Sequence, residues 1–488
     1  MRFDAALTGA AHSTSSQHLL QHYRRAELQE DLCFALWRPS TGRGRLTALI
    51  DEVILPEEGE RLLHGNASFQ PRYLTRAMGL ARKKGAGLAF MHSHPSPGWQ
   101  DMSDADIEAE RDVLAYPAGA TGLPLVGLTM GTDAQWSARF WERAGTQMRR
   151  LWCEKTRIVG PDQYQIHFNN NLVPAPARRE ILRRTFDTWG PEAQNTIARL
   201  HVGIVGLGSV GCLVAEAIAR MGVGRVTIID PDRIEEHNLD RLLYGTVRDI
   251  GRLKVDAAAE AMERNATARD IDITVLPLSV HQRSAYEHAL DCDIIFSCVD
   301  RPVARDVLNF VSQAHMIPIV DGGVAVEFDT AHKRLFSTHW RAHLGSPSHP
   351  CLRCRRQYNS SLVVMELDGS LDDPSYIRNL PPGERPANQN VFAFSQGVAA
   401  MEVNLMLRYL VAADWWPRVQ GQEYQFITGA MEPTKGECDS HCSFVPRRAH
   451  GDEEAPHYLA EDPVPTDRGR KSWLLRLVRL IGRGFAKS

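Results

Sequence analysis

No stretch of this chain is apolar over the length needed to span a bilayer. The first residues, MRFDAALTGAAHSTSSQHLL, also lack the basic flank and continuous apolar core of a secretory signal. Neither export nor insertion is expected, and the sequence reads as cytoplasmic. An excess of one charge is missing too. Lys and Arg number 56 against 59 Asp and Glu, and the resulting net charge of -3 argues against a general nucleic-acid binder. There is no internal repeat. Cysteine is sparse and odd in number, nine in 488 residues, so with no secretory signal metal binding or thiol chemistry is a better account than a disulfide framework.

What is present divides into two α/β units, since 488 residues exceed what one core supports. In the first, residues 1–150, a hairpin is expected over 27–55 around TGRGR, a helix over 70–84, a buried strand LAFMHS, a helix SDADIEAERDVLA and two more strands. Residues 151–177, ending in the polar, Pro-containing NNNLVPAPA, read as a linker. Over 178–450, short apolar strands (LHVGIVG, RVTIID, ITVLPL, DIIFSCVD, IPIVDGG) alternate with helical segments, which predicts a doubly wound parallel sheet. Residues 451–488 read as an acidic, Pro-containing linker and a basic amphipathic tail. In that tail Trp473, Leu474, Leu477, Leu480 and Ile481 recur at helical spacing between arginines. Such a face suits a membrane surface, but packing on protein is the stronger expectation without a lipidation signal.

Chemistry concentrates in two runs. In HSHPSPGWQDMSDAD, His92 and His94 sit two apart at a strand end, so both imidazoles face one side and can share a zinc ion. Asp106, opening the next helix, can supply the third ligand, with Ser103 beside the open position. The plainer alternative is a Ser-x-x-acid capping box near two surface histidines. The complete run resembles the JAMM (Mov34/MPN/PAD-1) metalloprotease motif. That resemblance implies Glu30, three residues before Cys33, as the general base that takes a proton from the attacking water, and Ser103 as oxyanion stabiliser. Asp31, Glu27 and Glu52 are weaker matches for the base. The spacer from Pro95 to Ser103 is seven residues, one longer than the usual motif.

In the second run, GLGSVG follows an apolar strand, and its glycines Gly206, Gly208 and Gly211 suit a turn whose backbone N–H groups hold a polyphosphate. Asp230 ends the next strand 19 residues after Gly211, so a nicotinamide-binding Rossmann domain is the obvious rival. The continuation, Asp230, Asp232, Asn238, Arg241, Gly251 and Lys254, then Asp300 and Arg305 in SCVDRPVARDVLN, resembles the ThiF/MoeB branch of the ubiquitin-activating-enzyme superfamily. What this implies is adenylation of a carboxylate: Asp230 on the ribose, Arg241 and Lys254 on the phosphates of ATP, and Asp300 on Mg. It also implies a homodimer through this domain, with Arg184, or equally Arg183, reaching the neighbouring site.

Cys351-x-x-Cys354 has zinc-ligand spacing, and with Cys438 and Cys442 it resembles the superfamily's structural zinc site; His441 is an alternative ligand in the longer second pair. Residues 355–437, where thioester-forming members carry their cysteine, contain none. The expectation is a bifunctional enzyme of a bacterial ubiquitin-like modifier pathway, antiviral defence being one setting the resemblance suggests. It would cleave after the modifier's C-terminal glycine with a catalytic zinc, and adenylate that glycine for a ubiquitin-conjugating-type enzyme. Alternatives are a sulfur-carrier protein activated for thiocarboxylate formation, and a scaffold with an inactive hydrolase half.

Overall fold

A computed structural model describes residues 1–22, 29–64, 66–329, 331–373, 390–412 and 416–462. In the first half, strands β1 (Arg2–Thr8), β2 (Leu32–Thr41) and β3 (Arg45–Ile54) lead into a small hairpin, β4 (Arg61–His64) with β5 (Asn66–Phe69). The helix Pro71–Lys83 and strands β6 (Gly87–Ser93), β7 (Leu125–Met130), β8 (Trp136–Ala144) and β9 (Gln147–Trp152) follow. The expected hairpin is β2 with β3, antiparallel, with a bulge between Leu36 and Trp37. The expected helix after Ser103 is only partly α: Asp104–Glu108 gives way to a π-helical turn, Ala109–Leu114.

The predicted linker differs from the structure. Strands β10 (Lys155–Val159) and β11 (Tyr164–Phe168) form a hairpin that joins the first sheet, giving the nine-stranded order β11-β10-β1-β3-β2-β6-β7-β8-β9. The cause is period-two burial: Tyr164, Ile166 and Phe168 point inward while Gln165 and His167 are less buried. The connection to the second half is made by the stretch after Phe168.

The second half has the predicted parallel strands, β12 (His201–Val205), β13 (Arg225–Ile229), β14 (Asp272–Leu276), β15 (Ile294–Ser297) and β16 (Ile319–Asp329). Antiparallel β17 (Arg334–Gly345), β18 (Gly421–Gln425) and β19 (Ala430–Pro433) extend them, in the order β14-β13-β12-β15-β16-β17-β18-β19. From β12 the chain winds outward to β14, then returns to lay β15 on the other side of β12. The crevice at the carboxyl ends of β12 and β15 is therefore the topological switch point where such sheets bind ligands.

The halves share a core. Ala6, Leu49, Val159, Tyr164, Ile166 and Phe168 pack in one cluster with Val202, Ile204 and Tyr409. Beside it lies a buried charge group, in which Asp293 accepts from Arg45 at 2.7 Å, Lys155 at 2.6 Å and the His201 N–H at 2.9 Å. Residues 451–462, expected to be linker, form a docked acidic strap. Thr41 donates its N–H to Asp452, Glu453 pairs with Arg38, and Glu461 pairs with Arg283. The basic amphipathic segment predicted for the tail lies outside the described residues. No described helix is long and apolar enough to cross a membrane.

Two candidate sites and a tetracysteine cluster

At the end of β6, the His94 N–H donates to the Met130 carbonyl, and Pro95 stops the strand. Imidazoles of His92 and His94 then face the first turn of helix Asp104–Glu108. Their Nε2 atoms lie 3.2 Å apart, and the Asp106 carboxylate reaches His94 at 3.1 Å and His92 at 3.3 Å. All three ligand atoms lie within 4.8 Å of one another. Two imidazole nitrogens and one carboxylate oxygen, the first imidazole nine-tenths buried, are a donor set that fits zinc with a position left for water.

The capping box is present as well. Ser103 donates its N–H and its hydroxyl to Asp106, at 2.7 and 2.8 Å, and accepts from the Asp106 N–H. Cap and candidate ligand are thus one residue: the box that starts the helix also turns the Asp106 carboxylate toward the two imidazoles. Burial would raise that carboxyl, but hydrogen bonds from His92, His94 and Ser103 hold it well below the usual range. Burial lowers His92, favouring the neutral, ligating imidazole.

Glu30 lines a small cavity with Leu19, Leu20, Ser93 and His94. Its partial burial, with Asp106 nearby, raises its pKa against the pull of His94. Among the competing carboxylates, Asp31 is fully buried and engaged by Arg61, His18 and Gln21, and Glu52 pairs with Lys84 away from the histidines. Glu27 lies outside the described residues. One supporting chain was not legible in the sequence. Thr129 contacts His92 at 3.4 Å, Arg139 donates to Thr129, and Glu110, turned inward on the π-turn, pairs with Arg139 and Trp141.

At the switch point, Gly206 has φ +87°, and an added Cβ would strike the Cys298 carbonyl; at Gly211 it would strike the Gly206 carbonyl. Gly208 faces open space. Asp230 accepts the N–H groups of Leu207 (2.6 Å) and Asp232 (2.8 Å), which fastens the glycine turn to the end of β13. Burial raises the Asp230 carboxyl, opposed by Lys254. Lys254 donates to Asp232 at 2.8 Å; burial lowers its pKa, but Asp230, Asp232 and Asp300 together raise it overall. The exposed Asp300, three residues past the end of β15, is close enough to act on Lys254 as well.

Asn238 and Arg241 stand on an adjoining turn with local contacts, Asn238 capping at the Glu235 N–H and Arg241 donating to the His237 carbonyl and Asp240. Arg305 bonds Asp321 and the Gly322 carbonyl. Arg184 is exposed on helix Arg183–Arg199, whereas Arg183 pairs with Glu180 at 2.9 Å. Asn390, unpredicted, donates to the Ser209 hydroxyl on the glycine turn at 3.0 Å.

Sulfur atoms of Cys351, Cys354, Cys438 and Cys442 lie within 4.8 Å of one another. Backbone N–H groups of Cys351, Cys354 and Asp439 point at sulfurs of the set. A hydrogen bond from Cys351, then its N–H and Arg448, pull the Cys438 thiol down to about 5. This donor set fits a structural zinc, with the cysteines rather than His441 converging. The five remaining thiols, Cys33, Cys153, Cys212, Cys292 and Cys298, are all pushed up by burial.

Residues 182–412 match the model described as the ThiF family, so the second half carries a ThiF-family domain. The chain is 30% identical over 119 residues to an adenylyltransferase and sulfurtransferase UBA4 of Meyerozyma guilliermondii, covering 24% of this chain and 28% of that protein. It is 32% identical over 146 residues to the molybdopterin-synthase adenylyltransferase of Escherichia coli, covering 30% and 56%. To the SAMP-activating enzyme E1 of Haloferax volcanii it is 27% identical over 168 residues, covering 34% and 57%. The chain thus spans between about a quarter and somewhat over half the length of these relatives.

Proposed function

We propose that the ThiF-family half adenylates the C-terminal carboxylate of a ubiquitin-like or sulfur-carrier protein, and that the first half is a JAMM-type zinc hydrolase acting at that same C-terminal glycine. The observation that carries the first part is the crevice itself. A glycine turn fastened to the Asp230 carboxylate, a cation (Lys254) and a further carboxylate (Asp300) meet at the switch point of a segment that matches the family. In the reaction the carboxylate oxygen attacks the α-phosphorus and the bond to pyrophosphate breaks. Lys254 and Arg241 neutralise the phosphate charge as it redistributes, and Asp300 would hold Mg, which when bound would supply further positive charge to the phosphates.

In the hydrolase half, His92, His94 and Asp106 would hold zinc, which when bound supplies the Lewis acid for amide cleavage. Glu30, with its raised pKa, accepts a proton from water and returns it to the leaving amine; Ser103 would turn the hydroxyl proton it gives Asp106 toward the developing oxyanion. Cys33, Cys153, Cys212 and Cys292 are buried and Cys298 is partly so, and residues 355–437 contain no cysteine. On this reading the adenylate passes to an external nucleophile, supplied by a conjugating enzyme or a sulfur donor. A relative named as a sulfurtransferase as well as an adenylyltransferase supports the sulfur-carrier version.

The test is ATP–pyrophosphate exchange that depends on a small β-grasp protein ending in Gly. Exchange abolished by Asp300→Ala supports the reading; thermal protection of the second half by NAD and not by ATP refutes it. Mass analysis of the activated protein then separates thiocarboxylate from isopeptide product.

A further inference from the structure

The seven residues between Pro95 and Ser103 fold around one side chain. The Gln100 amide nitrogen lies 2.9 Å from the Ser96 carbonyl, 3.0 Å from that of Pro97 and 2.8 Å from that of Gly98, sharing its two hydrogens over three acceptors, and the residue is buried. The knot is seated on the neighbouring strand end. Thr132 donates its N–H to Ser96, the Gly98 N–H donates to Asp133 at 2.9 Å, and Gly98 takes φ +82°. Gly131 permits this contact, since a Cβ there would come within 2.9 Å of the Ser96 and Gly98 carbonyls. The loop thereby leaves and returns over a short span, with His94 at one end and the Ser103–Asp106 box at the other.

We infer that Gln100 is a positioning residue for the metal site: it gathers the extra length of this loop so that Asp106 meets His92 and His94. The inference rests on the hydrolase reading above. Gln100 contacts no proposed ligand, so its effect passes through the backbone. Supporting groups around zinc ligands typically change metal affinity or activity by about 10- to 100-fold, and about tenfold is expected here.

The experiment titrates zinc into the full-length chain in competition with a chelator, for the parent, Gln100→Ala and Gln100→Glu. The last keeps the shape but sets a carboxylate against three carbonyls. Expected is about tenfold weaker binding of the zinc that His92→Ala removes, with the tetracysteine zinc unchanged. Deleting Pro97 in the Gln100→Ala background, which shortens the loop by one residue, should restore the affinity. On a β-grasp protein fused through Gly-Gly to a fluorescent reporter, kcat should fall with KM unchanged. Affinity within twofold of the parent in both variants, or a loss the deletion leaves in place, overturns the role of Gln100. A parent chain that binds zinc at the tetracysteine cluster alone overturns the hydrolase reading instead, and the two failures look different.

Discussion

Replacing Asp293 probes whether the two halves are separate modules. Its carboxylate lies between Arg45 and Lys155, whose side chains are 1% and 3% exposed, and it also accepts the N–H that starts β12. Asp293→Ala leaves Arg45 and Lys155 to share Asp4, at 3.2 and 3.9 Å, as their remaining carboxylate in the shared core. Removing one partner of a buried pair costs about 3–5 kcal/mol, and the remaining Asp4 places this case toward the lower end. Set against a total of about 5–15 kcal/mol, that is a large fraction of the stability. Asp293→Asn, which keeps the shape and the acceptor for His201, should cost less but remain measurable. The carboxyl is raised by burial and lowered further by Lys155 and Arg45, for a net depression. Its contribution is therefore full above the unfolded value of about 3.9 and disappears as pH falls through the folded value. Urea unfolding followed by tryptophan fluorescence, and by pyrophosphate exchange after each step, should show one transition moving to lower urea. Two transitions, with the first unmoved, would refute the shared core; so would an Asp293→Ala variant within 0.5 kcal/mol of the parent, the scatter of about that size expected for ordinary surface changes.

Metal analysis should find two zinc ions per chain, with His92→Ala or Asp106→Asn losing one and Cys351→Ser the other; unchanged zinc in His92→Ala removes the catalytic assignment. Gly208→Ala should leave Tm unaltered, because nothing lies within 4 Å of the added Cβ, yet abolish pyrophosphate exchange by occupying nucleotide space. Gly211→Ala, whose Cβ meets the Gly206 carbonyl, should lower stability by about 1–3 kcal/mol as well. Burial holds His12 and His167 at about 4, and His315, His343 and His349 at about 3. Such depressed histidines contribute stability in full above the unfolded value of about 6.5, and each loses about 1.4 kcal/mol per pH unit below it until its folded value is reached. Tm should accordingly drop steeply between about pH 6.5 and 5; a flat profile there contradicts the neutral buried imidazoles.

The fold of the second half is legible because each parallel strand is a short apolar run bounded by turn residues, and because two glycines of GLGSVG are required by close approaches, Gly206 to the Cys298 carbonyl beyond β15 and Gly211 to the Gly206 carbonyl. The hairpin Lys155–Phe168 was missed for the opposite reason. Its inward residues, Tyr164, Ile166 and Phe168, alternate with polar ones over only five positions, and the polar run that follows drew the boundary too early. The strap at 451–462 was illegible because acidic composition reports solvation, while its docking depends on Arg38 and Arg283 from distant parts of the chain.

Ser103 and Asp106 mark a deeper limit of the sequence pattern. A helix cap and a metal ligand ask the same thing of an aspartate at the third helical position, a carboxylate turned back toward the chain before the helix. The pattern Ser-x-x-Asp cannot say which is served, and here one carboxylate is placed for both: Oδ2 takes the Ser103 hydroxyl and N–H while Oδ1 stands 3.3 Å from His92. What separates the readings is the partner that arrives from elsewhere. A strand 10 residues upstream must end with both imidazoles on the face toward that cap, and the loop between must close over the gap. The first condition is written in HSH and its period of two; the second depends on a glutamine amide finding three carbonyls, which no spacing rule encodes.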